Sequence, residues 1–175
     1  IDFFECATQV AQGMEYLHDH CNLLHRDLKS PNLLLDAHGK TKIADFGLTC
    51  LNGEGLKTAE IGTYRWMAPE VIAHEDYGTS ADVYSYGIVL YEILTRELPF
   101  HGISPMTVAL KVSSEGFRPP LPSQTPEPVL QLIRDCWHQK ANRRPSFKEI
   151  LKRLEAIKQD MSEKDMRIIK DLAAR

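Results

Sequence analysis

Between Asp82 and Leu94 the chain places Val83, Tyr84, Tyr86, Ile88, Val89, Leu90, Tyr91 and Ile93, so a helix there is apolar on nearly all sides. Such a helix has no face to give to water and belongs at the centre of a domain, with other elements packed around it. Several amphipathic stretches can supply that packing. Phe4, Ala7, Val10, Ala11, Met14 and Leu17 recur at helical spacing, so residues 2–18 read as a helix, opened by Asp2 and Glu5 as a capping box. Ser104-Pro105 joins a good N-cap to proline at the first helical position, which predicts a short helix through Lys111. Val129, Leu132, Ile133, Cys136 and Trp137 share one helix face. Ser146 with Glu149 forms a second capping box, ahead of Phe147, Ile150, Leu151, Leu154 and Ile157.

The strand content is small. Leu33-Leu34-Leu35 and the run from Thr41 to Ala44 flank Asp36-Ala37-His38-Gly39-Lys40, which reads as a β-hairpin around a glycine-containing turn. Asn52-Gly53-Glu54-Gly55 reads as a mobile loop, and Arg118-Pro119-Pro120-Leu121-Pro122 as a surface loop that cannot be helical. Trp66 and Trp137 read as packing residues. Past Gln159 the residues are mainly charged, with Met166, Ile168, Ile169 and Leu172 at roughly helical spacing, so the tail is either a short amphipathic helix or a frayed end. The fold class is mainly α with small β-hairpins.

The chemistry concentrates in His25-Arg26-Asp27-Leu28-Lys29-Ser30-Pro31-Asn32, followed by Asp45-Phe46-Gly47. A carboxylate and an amide in a proline-containing loop, with a second carboxylate nearby, suit a site that holds a divalent metal and orients a hydroxyl nucleophile. Pro31 removes a backbone N–H and rules out a helical presentation of Asp27 and Asn32. The first segment resembles the catalytic loop of eukaryotic protein kinases, and Asp45-Phe46-Gly47 resembles their metal-binding motif. Ala68-Pro69-Glu70 matches a third motif of that family, in the expected order. The resemblance runs from Ile1 to about Ile157. It implies the large C-terminal lobe of an α+β kinase fold over residues 1–157, with residues 158–175 as a charged extension. The glycine-rich phosphate loop, the Val-Ala-x-Lys strand and the helix glutamate of the small lobe do not occur in this sequence and are expected upstream of Ile1.

The resemblance also implies roles. Asp27 would be the catalytic base for the substrate hydroxyl, and Lys29 would set a point charge beside the transferring phosphate. Asn32 and Asp45 would supply oxygen ligands to magnesium, and Leu34 would be a core leucine that also touches the adenine of ATP. Thr63 would hydrogen-bond Asp27 and Lys29. Arg26 would pair with a phosphate on the segment from Asp45 to Glu70, where Thr58 is the first choice of phosphosite, for an upstream activating kinase, and Thr49 the second. Asp82 would anchor the loop backbone, Glu70 and Arg144 would form a buried ion pair, and His25 and Phe46 would stack in the core beneath the site.

Lys29 and Thr63 favour serine/threonine acceptors on protein substrates. Trp66-Met67 before Ala68, and Asp135-Cys136-Trp137 before Arg143-Arg144-Pro145, look like tyrosine-kinase sequence. The mixture resembles the tyrosine-kinase-like branch of Ser/Thr kinases, which includes mixed-lineage and Raf-type enzymes. Dual or tyrosine specificity is the runner-up, a pseudokinase scaffold is an alternative of another class, and a small-molecule phosphotransferase is a third. A net charge of -3 and a pI near 6.2 give no reason to expect nucleic acid or an anionic membrane as partner. Cys6, Cys21, Cys50 and Cys136 form no CxxC pair and read as reduced thiols of a cytoplasmic protein. No apolar run reaches membrane-span length, and the first residues do not read as a signal peptide, though the parent could still be membrane-attached.

Overall fold

The computed structural model describes residues 1–53 and 61–175. Helix α1 (Phe3–Glu15) starts where Asp2, in extended backbone, accepts the Glu5 N–H at 2.9 Å. Glu5 turns its own carboxylate to Gln9 Nε2 at 3.1 Å, so only one arm of the expected box is made. The helix then widens into a π-helical turn, Tyr16–His20. Strand β1 (Leu23–Leu24) follows, then a 3-10 turn (Ser30–Asn32), then β2 (Leu33–Leu35) and β3 (Thr41–Ile43). These last two form the expected antiparallel hairpin, with Leu33 opposite Ile43 and Leu35 opposite Thr41. Its turn is held by Asp36, whose Oδ1 accepts from the His38 and Lys40 amides, while Gly39 takes the positive φ of 76° the turn requires. Strand β4 (Cys50–Leu51) pairs with β1, a two-residue ladder with no local signature in the sequence.

A second 3-10 turn (Ile61–Trp66) leads to α2 (Pro69–Ile72), α3 (Thr79–Thr95), α4 (Pro105–Glu115), α5 (Glu127–Cys136), α6 (Phe147–Asp160) and α7 (Glu163–Ala173). Helix α3 is the apolar run and occupies the centre, with Ile88, Val89, Leu90 and Leu94 fully covered. Helices α1, α5 and α7 and the Ile61–Trp66 turn pack around it. The Tyr86 hydroxyl donates to the Ala7 carbonyl at 2.8 Å, tying α3 to α1. Gly87 lets α5 approach closely: a Cβ there would stand 3.0 Å from Cys136 Cβ and 3.1 Å from the Trp137 backbone nitrogen. Truncating one of these side chains, for example Leu90→Ala, is expected to cost about 2–5 kcal/mol.

Both capping signals downstream are realised. Ser104 accepts from the Thr107 N–H, and Ser146 and Glu149 complete both arms of their box. Helix α4 runs past Lys111 to Glu115 and stops at Gly116, φ 67°, which serves as its left-handed C-cap. The Arg118–Pro122 segment is non-helical, but it is more than a surface loop. Arg118 is half-buried, donates through Nε to the Trp137 carbonyl at 2.9 Å, and lies 4.9 Å above the Tyr84 ring. The charged tail folds as α7, capped by Ser162, with Ile169, Leu172 and Ala173 in the core. Asn52 and Gly53 form a turn, while Glu54 and Gly55 of the same expected loop lie outside the described residues. All four cysteines are free thiols, and among the described residues no helix is long and apolar enough to cross a membrane.

Candidate active site

The loop between β1 and β2 carries the motif residues, and α3 holds its start. Asp82, in the first turn of α3, accepts the His25 N–H through Oδ2 and the Arg26 N–H through Oδ1, both at 2.9 Å, and also contacts His18 Nε2 at 2.7 Å. A buried carboxylate needs such donors, and two backbone amides provide them. The grip has a conformational cost, because Arg26 sits at φ 71°, the left-handed region that L side chains rarely occupy. Asp45 is held likewise at φ 57°. His25 is fully buried and bridges the loop: its Nδ1 accepts the Asp27 N–H at 3.1 Å and its Nε2 donates to the Ala44 carbonyl at 3.0 Å.

Four of the expected residues form one cluster. Asn32 Nδ2 donates to the Asp27 carbonyl at 2.7 Å and to Asp27 Oδ2 at 3.1 Å. Lys29 Nζ donates to Thr63 Oγ1 at 3.1 Å and lies 3.4 Å from Asp27 Oδ1. Thr63 Oγ1 donates to the same Asp27 oxygen at 3.3 Å. Asp27, Asn32 and Thr63 are all buried, which strengthens their mutual electrostatics.

The hairpin register brings the backbone before Asp45 to Asn32. Leu33 pairs with Ile43 and the Ala44 N–H donates to the Asn32 carbonyl at 2.8 Å, so Asp45 follows directly on the residue bonded to Asn32. Asp45 is exposed, and its carboxylate accepts a 3.2 Å bond from the Gly47 N–H. The Asn32 amide nitrogen faces Asp27, which turns the amide oxygen away from that carboxylate. A carboxylate and an amide oxygen are the kind of hard-oxygen donors that magnesium takes.

Other expected residues behave differently. Leu34 is no core leucine: it stands 55% exposed on β2 beside the equally open Leu35. Phe46 contacts His25 with ring centroids 5.3 Å apart and planes tilted by 59°, but half of it is in water, so only His25 belongs to the core. Thr58 lies outside the described residues. Thr49 is described, and its hydroxyl oxygen is buried without a hydrogen-bond partner among them. The Arg26 guanidinium stacks 5.5 Å above the Tyr77 ring. Burial pushes the Tyr77 phenol up, with the Arg26 charge pulling the other way.

Support beneath the site is tight. Arg144 Nη1 and Nη2 meet Glu70 Oε1 and Oε2 at 2.6 and 2.9 Å, a bidentate buried pair. Trp66 and Trp137 are both buried. Three contributors escaped sequence reasoning. Arg65 donates to the Pro99, Phe100 and Ile103 carbonyls at 2.9–3.2 Å, fixing the segment that carries Thr63 onto the turn before α4. Glu92 accepts from Ser30 and Trp66, and His18 from the π-helical turn completes the Asp82 site. Their partners lie 26 to 64 residues away, so no short motif could announce them.

Residues 1–154 match the family model described as protein tyrosine and serine/threonine kinase. Two similar proteins come from Arabidopsis thaliana. Serine/threonine-protein kinase STY17 is 49% identical over 149 residues, 85% of this chain and 26% of that protein. Serine/threonine/tyrosine-protein kinase HT1 is 45% identical over 150 residues, 85% of this chain and 38% of that protein. A Dictyostelium discoideum relative, probable serine/threonine-protein kinase DDB_G0267514, is 47% identical over 152 residues, 86% of this chain and 16% of that protein. The chain thus spans well under half the length of each of these curated relatives.

Proposed function

The chain belongs to the protein tyrosine and serine/threonine kinase family, and from that premise we propose that the protein transfers the γ-phosphate of ATP to serine and threonine hydroxyls of protein substrates. The observation that carries this reading is the Asp27–Thr63–Lys29 contact set, which gathers a base, a hydroxyl and a cation at one point. Asp27 accepts or orients the proton of the incoming hydroxyl, so that its oxygen points at phosphorus. Lys29 places a compact ammonium beside the phosphate in transfer. Thr63 holds Lys29 and Asp27 at a common spacing, and Leu34 offers its exposed side chain to the adenine. Asn32 and Asp45 would hold magnesium, which when bound neutralises charge on the phosphates.

On this reading the exposed Leu34 is a surface that a small lobe of the full-length protein would cover. The full-length protein is therefore the object to test. Asp27→Asn should lower its turnover by at least about a hundredfold while leaving the melting temperature in place. Near-normal turnover with intact folding defeats the assignment.

Serine/threonine/tyrosine specificity is the second reading, favoured by the name of the HT1 relative and by the Trp66-Met67 segment. Phosphoamino-acid analysis of phosphorylated substrate separates the two. A pseudokinase scaffold fits less well, because Asp27, Lys29, Asn32 and Asp45 are all present. Activation by an upstream kinase falls to Thr58 rather than Thr49, whose hydroxyl is enclosed. Mass spectrometry of active protein that finds Thr58 unmodified removes that proposal. Dependence on ATP and four unpaired thiols favour an intracellular site of action, and cell fractionation that recovers the protein only outside cells contradicts it.

A further inference from the structure

Glu92 lies near the C-terminal end of α3, and its carboxylate is divided between two donors from separate parts of the site. Oε1 accepts the Ser30 hydroxyl at 2.7 Å, and Oε2 accepts the Trp66 indole N–H at 2.7 Å. Ser30 stands between Lys29 and Asn32 and opens the 3-10 turn of the loop. Trp66 closes the turn that carries Thr63. Trp66 is held from its other side too, since the Ser85 hydroxyl of α3 donates to its carbonyl at 2.7 Å. Glu92 is half-buried and has no ion-pair partner among the described residues. Burial pushes its carboxyl up, and the two bonds draw it back. Withdrawing a carboxylate from water costs free energy that only short, charge-assisted bonds offset.

The geometry becomes informative beside Asp82. Asp82 grips the start of the loop at His25 and Arg26, while Glu92 grips it at Ser30. Ten residues of one helix separate the two carboxylates, about 15 Å along its axis. Asp27 and Lys29 lie in the span between these two grips. Pro31 contributes no amide, so the downstream half of the loop has few backbone bonds of its own, among them Asn32 N–H to the Lys29 carbonyl at 3.0 Å.

We infer that Glu92 is a positioning residue: one carboxylate holds Ser30 and Trp66 in a fixed relation and thereby sets the spacing of Lys29, Thr63 and Asp27. Its catalytic consequence rests on the kinase reading above, whereas its mechanical content does not. In the full-length protein, Glu92→Met keeps the volume and removes both acceptors, and Glu92→Gln keeps an acceptor for the indole and a donor for Ser30. The Met variant should fold and lose about tenfold in kcat, with KM for ATP changed by less than about twofold, because misplacement acts on the reacting geometry rather than on binding. Amides of residues 28–30 and 32 should exchange faster with solvent, and the Trp66 indole N–H resonance should move to the position of a weaker hydrogen bond. The Gln variant should recover most of each change. A folded Met variant with wild-type kcat and unchanged loop exchange overturns the inference. If the Met variant does not fold, Ser30→Ala decides alone: it removes one arm, and unchanged exchange at residues 28–30 and 32 overturns the inference equally. A wild-type protein that transfers no phosphate would sink the kinase reading, and the exchange and indole measurements would still judge the anchor by themselves.

Discussion

Arg144 meets Glu70 through two parallel bonds of 2.6 and 2.9 Å, whereas Lys29, Thr63 and Asp27 stand 3.1 to 3.4 Å apart. The first group is closed on itself: the same guanidinium also donates to the His138 and Ser80 carbonyls at 2.8 and 3.0 Å, and its side chain is fully covered. The second is loosely spaced, and Asp45 and Leu34, expected at the same site, are exposed. Such spacing suits groups that must tighten on a substrate, as catalytic hydrogen bonds do when a complex forms. On the function proposed above, the difference separates residues that maintain the fold from residues that await a substrate.

The sharpest way to break this contrast is Arg144→Ala. It strands the Glu70 carboxylate, and the stability of the folded protein should fall by about 3–5 kcal/mol in chemical denaturation. A loss below about 1 kcal/mol would place the pair with ordinary surface bridges and erase the distinction. Thr63→Val acts on the looser group. It keeps the shape of the side chain, so turnover of the full-length protein should drop about tenfold while stability shifts by no more than about 1.5 kcal/mol. Equal losses in both quantities would show that the two regions are not separable. The smallest effect concerns Tyr84, which lies against Arg144 and Arg118 with its hydroxyl buried and unpartnered among the described residues. Tyr84→Phe should leave stability unchanged or raise it by up to about 1 kcal/mol, because no bond is lost. Burial pushes the Tyr84 phenol from its ordinary 10.0 up to about 12. Since the folded value is the higher one, the stability it contributes is complete below pH 10.0 and is lost as pH rises through about 12. Alkaline unfolding followed by phenolate absorbance should therefore lose this component in Tyr84→Phe.

What could be read from the sequence followed the range of the forces involved. Helices α1 and α6 were legible because their apolar periodicity and caps act within one or two turns, and α5 because of its apolar periodicity alone. The Asp27, Lys29 and Asn32 set was legible because its spacing is local, and Asp45 was marked by the equally local Asp45-Phe46-Gly47 motif. Glu92, Arg65 and Arg118 were not legible, since each acts on carbonyls or donors brought near only by tertiary packing. Leu34 and Phe46 misled for a related reason: an apolar residue in a strand or motif signals burial, but not which body covers it. The tail remained ambiguous because charge dominated its composition, while Ile169 and Leu172 sufficed to dock it on α3 and α1.

Arg26 and Asp45 hold positive φ without being glycine, at about 1–2 kcal/mol each. A short peptide spanning either motif would relax to ordinary backbone, so these bends exist only while Asp82 and the hairpin enforce them. On gentle heating the first local opening should release both kinks together. Enzymatic competence would then fade several degrees before the far-ultraviolet helical signal, and the site would behave as a set trap rather than a rigid mould.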